Sequence, residues 1–248
     1  MKVIADIGNS RIKIAISQNK KISKVKTFSL KEIITIKEYL INICNKQTCS
    51  LFYSCVLGDD FEKEFRSIME KIFIKITRFK STKSFLSVKN AYKSPSKLGS
   101  DRWAQIICAH KLYRDNIMIV SCGSAISIDF VTIKGIHKGG MLLSGVERYI
   151  KCFSDIHNLK GIKLSRTRRV KMFSLENSTQ KQIGMGYEIM VSSSINKIYS
   201  ELNSSVREDV LLILSGSYAK SISNIEVKKK IIEPHFVLKS LALIENYV

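Results

Sequence analysis

The residues best suited to chemistry fall in three short stretches. The first is Asp6-Ile7-Gly8-Asn9-Ser10, which ends an apolar run and is followed by Arg11-Ile12-Lys13. A glycine between two strands admits positive φ and lets the backbone come close to a ligand. Successive peptide N–H groups around such a turn can form a concave nest for phosphate oxygens. Asn9 and Ser10 add side-chain donors, Arg11 and Lys13 add charge, and Asp6 offers the hard oxygens that Mg²⁺ prefers, directly or through water. Alone, the stretch reads equally well as a plain hairpin with Asp-Gly turn chemistry. The second stretch, Ser121-Cys122-Gly123-Ser124, is another glycine turn between apolar runs. One such turn in each half of the chain says more than either does alone.

The third stretch is Gly99-Ser100-Asp101-Arg102 at a loop–helix junction. An acidic residue at a helix start is ordinarily a cap. The same carboxylate beside a substrate hydroxyl could accept its proton during phosphoryl transfer. Arg102 could grip a substrate carboxylate through its planar fork. Local chemistry allows both readings and does not choose between them.

The elements that must position these residues follow from hydrophobic periodicity. Lys2–Ala5 and Arg11–Ile16 alternate as strands around the first turn, and residues 21–28 suit a third antiparallel strand. Ser29-Leu30-Lys31-Glu32 is a capping box for a helix from about Leu30 to Cys44. Residues 50–56 form a short apolar strand. Asp59-Asp60 opens a helix over 61–72 with the acidic start that the helix dipole favours, and 74–79 is a strand. A loop over 92–99 leads to a helix over 101–113. The order then restarts: a buried strand at 117–120, the glycine turn, an alternating strand at 125–132, a turn at Gly135, and a strand beginning at His137. Asp6 and Ser121 occupy like places in the two series. A helix over 181–202, a buried strand over 210–214 and a closing helix over 236–247 complete the chain.

This pattern predicts an α/β protein of two duplicated actin-like (ribonuclease H-like) lobes. Each lobe is expected to be a mixed five-stranded sheet with flanking helices, with a nucleotide cleft between them. The expected boundary divides residues 1–115 from 116–248.

With 45% hydrophobic and 25% charged residues, the 248-residue chain has the balance of a globular protein with a core. It holds no apolar run long enough to span a bilayer. The N-terminal segment reaches Asp6 and Gly8 too soon for a secretory h-region, which points away from export. Six cysteines without CxxC spacing suit reduced, buried thiols in the cytoplasm. Cys and His never fall at metal-ligand spacing, and His110, His137, His157 and His235 read as packing or surface residues. Forty-one basic against twenty-one acidic residues give a net charge of +20. Such a field attracts polyanions, but Lys is scattered along the chain, as A- and T-rich codon usage would also make it.

As a set, Asp6–Ser10, Gly99–Arg102, Gly123-Ser124-Ala125-Ile126-Ser127-Ile128-Asp129 and Gly139-Gly140 with Gly145 resembles the type III pantothenate kinases over nearly the whole chain. Tyr92 before Asp101, Thr179 before Gly186 and Leu238-Lys239-Ser240-Leu241 add to the likeness. The resemblance implies ATP-dependent phosphorylation of pantothenate to 4′-phosphopantothenate, the first step of coenzyme A biosynthesis. It assigns the nucleotide phosphates to Asp6, Ile7, Gly8, Asn9, Ser10, Arg11, Ile12 and Lys13, with Mg²⁺ at Asp6 and an ATP contact at Ser124. It makes Asp101 the general base and Tyr92, Gly99, Ser100, Arg102 and Thr179 the substrate-binding set, Thr179 across a homodimer interface. Many members need a monovalent cation, K⁺ or NH₄⁺, held by an Asp where this chain has Ser121, so a neutral hydroxyl stands at that position. Ser144, Ser217 and Ser240 also depart from the family's Pro, Gly and Gly.

A second reading belongs to another class. Relatives of this family have been described as transcriptional activators, and Lys163, Arg166, Arg168, Arg169 and Lys171 could bind a phosphate backbone. The chain would then be a weakened kinase-like regulator binding nucleic acid. The alternative for that segment is a solvated basic loop. No helix-turn-helix supports the regulator, and the GxDR loop argues against a sugar kinase on the same scaffold.

Overall fold

In the computed structural model, residues 1–19, 21–44, 48–153, 156, 174–222 and 225–248 are described. They divide into two compact units, Met1–Tyr113 with His235–Val248, and Arg114–Pro234.

The first unit is built around β1 (Lys2–Ile7). Val3, Ile4, Ala5 and Ile7 of this strand are fully buried, as a central strand covered on both faces requires. It pairs antiparallel with β2 (Arg11–Gln18) and parallel with β5 (Ser50–Cys55), which pairs parallel with β6 (Lys75–Phe79). The outer edge is two pieces, β3 (Lys21–Ile22) and β4 (Lys26–Ser29), both antiparallel to β2. The predicted third strand is therefore real but broken, and the sheet has six strands where five were expected. The break has a local cause: Ser23 turns its hydroxyl onto the Ile16 amide (2.9 Å) while its own amide binds the Ile16 carbonyl (2.9 Å). A side chain takes the place of a ladder bond there.

Helices α1 (Ile33–Cys44) and α2 (Asp59–Met69) cover one face. Their Ile36, Leu40, Phe65 and Met69 pack on Val3, Ala5, Ile7, Leu51 and Tyr53. Half of the expected capping box forms, with the Ser29 amide donating to Glu32 Oε2 at 2.6 Å, while the Glu32 amide takes the Ser29 backbone carbonyl (3.2 Å) and the helix begins at Ile33, later than the expected Leu30. Helix α3 (Ser100–Tyr113) packs against α6 (Phe236–Ile244), and both lie on strands of the first sheet. A short hairpin, β7 (Ser84–Phe85) and β8 (Val88–Lys89), precedes α3.

Helix α6 corrects the expected boundary. The order of elements along the chain places residues 235–248 with the second half, yet they belong to the first unit, where α6 lies against β1, β2, β3, β5 and α3. An apolar helix such as Phe236-Val237-Leu238-Lys239-Ser240-Leu241-Ala242-Leu243-Ile244 announces burial but not the layer that buries it.

The second unit repeats the design. The strand order β11-β10-β9-β12-β13 matches β3-β2-β1-β5-β6, with antiparallel pairs first and parallel pairs after. The strands are β9 (Ile117–Cys122), β10 (Ala125–Val131), β11 (His137–Ser144), β12 (Leu211–Ser215) and β13 (Lys229–Glu233). Helices α4 (Val146–Lys151) and α5 (Thr179–Ser205) follow β11, and Val191 and Ile195 of α5 join the core with Val120, Leu212 and Leu214. Asp129 and His137 form a buried pair across β10 and β11 (3.1 Å), consistent with a packing role for that histidine. Gly216 has φ +90°, and a Cβ there would lie 2.3 Å from the Cys122 carbonyl oxygen, so close approach and handedness both demand glycine. Its neighbour Ser217 is not among the residues with positive φ, so the absent second glycine strains nothing. Ser240 is likewise satisfied, its hydroxyl bonded to the Phe236 carbonyl at 2.7 Å.

Candidate active site in the first unit

The β1–β2 hairpin brings its turn to the C-terminal end of the parallel pair β1–β5, where open α/β sheets ordinarily bind ligands. The turn is closed by the Gly8 amide on the Arg11 carbonyl (3.0 Å), leaving Asn9 and Ser10 exposed at the tip. Neither Gly8 nor the equivalent Gly123 has positive φ, which corrects that part of the expectation. Added Cβ atoms would meet nothing nearer than 3.5 and 3.6 Å. The chain's own backbone conformation and packing do not require glycine at either turn. Ile7 and Ile12 are fully buried and paired in register, so any part they take in binding comes through their peptide groups.

Asp6 is the electrostatic centre. It sits in register between Lys13 on β2 and Ser54 on β5, and side chains at paired positions share a face. Burial lifts its carboxyl to about 6; Lys13 pulls it down, the charge of Asp101 pushes it up, and the Ser54 hydroxyl lowers it least. Ser54 Oγ is wholly buried and faces that carboxyl, yet it completes no hydrogen bond of good geometry. A buried polar atom left in this state costs free energy until something satisfies it. Sequence inspection missed Ser54 because a serine in an apolar strand carries no signal of its own. Its place beside Asp6 appears only once β1 and β5 are aligned.

The predicted GxDR residues gather on the same side. Asp101 lies in the first turn of α3 and is close enough to Asp6 to raise its pKa. Gly99 clears space for it, since a Cβ there would lie 2.6 Å from Asp101 Oδ1. Ser100 is buried, and its hydroxyl donates to the Cys55 carbonyl at 3.4 Å. Arg102 donates to the Tyr92 hydroxyl (3.1 Å), and its guanidinium lies over the Tyr92 ring, 5.9 Å from the centroid. Tyr92 is set in turn by its amide on Asn90 Oδ1 (3.0 Å). Asp6, Lys13, Tyr92, Gly99, Ser100, Asp101 and Arg102 thus all belong to the first unit.

Ser121, Ser124 and Thr179 belong to the second unit. Ser121 is the register partner of Ser127 and of Ser215, as Asp6 is of Lys13 and Ser54. The repeated position carries three hydroxyls in place of an ionised pair and one hydroxyl. Thr179 opens α5 in an exposed position. The basic segment with Lys163, Arg166, Arg168, Arg169 and Lys171, and also His157, lies outside the described residues. Among the described residues, no cluster of three His, Cys, Asp or Glu side chains could hold a metal by itself, and no helix is long and apolar enough to cross a membrane.

The family model for type III pantothenate kinases matches residues 2–201. The chain belongs to that family. Membership makes it an enzyme, an ATP-dependent kinase of pantothenate acting in coenzyme A biosynthesis. A type III pantothenate kinase of Teredinibacter turnerae is 25% identical over 252 residues, covering 99% of both chains. Among solved structures, a Baf family protein from Campylobacter jejuni aligns with a TM-score of 0.60 at 20% identity, covering 99% of this chain and 98% of its own. MreB5 of Spiroplasma citri aligns with a TM-score of 0.52 at 6% identity, covering 99% and 96%. At those identities the structures speak for the duplicated ATPase-like fold alone. The regulator reading gains no support from the family match.

Proposed function

We propose that Asp101 removes the proton from the pantothenate hydroxyl as its oxygen attacks the γ-phosphorus of ATP and ADP departs. The observation that carries this is the pairing of two carboxylates in one site with different surroundings. Asp6 is buried and raised to about 6, while Asp101 stands in the first turn of a helix, whose dipole favours its charge. Carboxylates in such unlike surroundings take different roles. Asp101 is the base, and Asp6 is the oxygen ligand of Mg²⁺.

The residues present suit a hard divalent cation: a buried carboxyl, an adjacent buried hydroxyl that completes no hydrogen bond of good geometry, and a second carboxylate near enough to act on the first. Asp6 would hold Mg²⁺ directly or through water, with Ser54 beside it. Bound there, the cation would neutralise charge on the phosphates. Gly8, Asn9, Ser10, Arg11 and Lys13, with the peptide groups of Ile7 and Ile12, bind the phosphate oxygens. Arg102, held by Tyr92, takes the substrate carboxylate, with Gly99 and Ser100 completing the substrate set within the first unit.

The test is direct. Purified protein with Mg-ATP and pantothenate should yield 4′-phosphopantothenate by mass spectrometry; no product from folded protein defeats the reading. Parallel reactions with K⁺, with NH₄⁺ and with neither should differ little, because Ser121, Ser127 and Ser215 offer a monovalent cation only neutral oxygens. An absolute K⁺ requirement would place the cation on other groups.

A homodimer completes the proposal. Met141 and Leu142 are consecutive on edge strand β11 and are 54% and 63% exposed. Consecutive strand residues face opposite sides, so both faces of this edge are uncovered there. Ile189 and Met190 of α5 are also exposed. Leu142→Asp should convert a dimer into monomer in light scattering, and a wild-type monomer would refute the pairing. The free cysteines, of which Cys44, Cys49, Cys55, Cys108 and Cys122 are buried, suit a reducing cytoplasm.

A further inference from the structure

Arg78 lies on β6 in register with Tyr53, on the sheet face that α2 covers. Its guanidinium spans two partners. Nη1 pairs with Glu62 Oε2 of α2, and Nη2 donates to the Cys55 carbonyl oxygen at 3.3 Å. Glu62 is fixed from its other oxygen by the Tyr53 hydroxyl (2.9 Å), and Tyr53 is fully buried. The Cys55 carbonyl is the acceptor that the Ser100 hydroxyl also uses. One peptide oxygen at the tip of β5 therefore receives Arg78 from one face and Ser100, next to Asp101, from another element. The preceding residue is Ser54, which faces Asp6.

We infer that Arg78 is a positioning residue for phosphoryl transfer, clamping the tip of β5 so that Ser100 and hence Asp101 keep their place relative to Asp6. Arginine suits this because its planar fork holds a carboxylate and a carbonyl in fixed directions, which the freely rotating donors of a lysine ammonium do not impose. The ion pair is mostly shielded, with side-chain exposures of 20% and 14%, so solvent screens it less than a surface pair. Arg78 sits outside the glycine turns and the GxDR stretch, and nothing in its sequence neighbourhood marks it.

This inference rests on Asp101 being the base, and the experiment separates the two. Steady-state kinetics are measured for Arg78→Gln, Arg78→Lys, Asp101→Asn and the Arg78→Gln/Asp101→Asn double variant, with thermal melts for each. Arg78→Gln should lower kcat about 10- to 100-fold through misplacement of the base, with KM for ATP within about threefold of wild type. Arg78→Lys keeps the pairing with Glu62 and should melt close to wild type, yet recover only part of kcat. If Arg78→Gln does not fold, Arg78→Lys carries the test. In the double variant the Arg78 change should cost little beyond Asp101→Asn, because residues acting as a unit are not additive. Full kcat in folded Arg78→Gln or Arg78→Lys overturns the inference, as does a rise in KM for ATP alone or losses that multiply fully. Full turnover in Asp101→Asn instead removes the base assignment, whatever Arg78 does.

Discussion

Asp101→Asn is expected to lower kcat by about 10²- to 10⁴-fold, because an amide occupies the same space but cannot take the proton. KM for ATP should change little, since the phosphate-binding role proposed above falls on the β1–β2 turn. The fold should survive. Asp101 is the only acidic residue in the first turn of α3, so its loss costs about 0.3–1 kcal/mol of helix-dipole interaction. A second signature distinguishes this variant from a general loss of fit. The Asp101 charge is one of the causes that raise Asp6, so Asp6 should titrate lower in Asp101→Asn. Carboxyl-carbon NMR of Asp6 across pH 4–8 reads that shift. Turnover near wild type would place the base elsewhere; an unmoved Asp6 would mean that the two carboxylates do not act on each other.

Asp6→Asn is expected to abolish measurable turnover and, in the absence of ligands, to make the protein more stable. Burial raises the Asp6 carboxyl from 3.8 to about 6. Below 3.8 both native and unfolded chains hold the proton and nothing is lost. Between 3.8 and 6 the unfolded chain releases it while the native site keeps it, so the native state loses stability as pH rises. Above 6 the penalty is constant. A shift of about two units corresponds to at most about 3 kcal/mol, and loss of the Lys13 attraction in the variant reduces the gain. Melts should therefore coincide near pH 3.5 and separate by several degrees at pH 7.5, with the Asn variant higher. Mg-ATP should stabilise the wild type and not the variant. Equal melting at pH 7.5 would mean that Asp6 is not strained by burial.

Much of this site was legible because its residues lie close together in sequence. The two glycine turns and the Gly99–Arg102 junction carry local patterns, and the strands and helix that hold them showed clear periodicity. What escaped was non-local. Ser54 and Arg78 gain meaning only when β5 and β6 come beside β1, and no spacing rule joins residues 6, 54, 78 and 101. Strand β13 was missed because Lys229-Lys230-Ile231-Ile232-Glu233 is an edge strand whose charged residues break the apolar run. Helix α4, at six residues, was too short for a period to show. The glycine turns fall where the sequence puts them, but neither Gly8 nor Gly123 has the positive φ expected of it.

The two halves share strand order, yet only one carries ions at the repeated strand end: Asp6 with Lys13 against Ser121 with Ser127. A symmetric protein would have two such carboxyls and a pair of overlapping protonation steps. Here the second copy has only hydroxyls in that register, so the repeat offers a hard cation one strand-end carboxylate and not two.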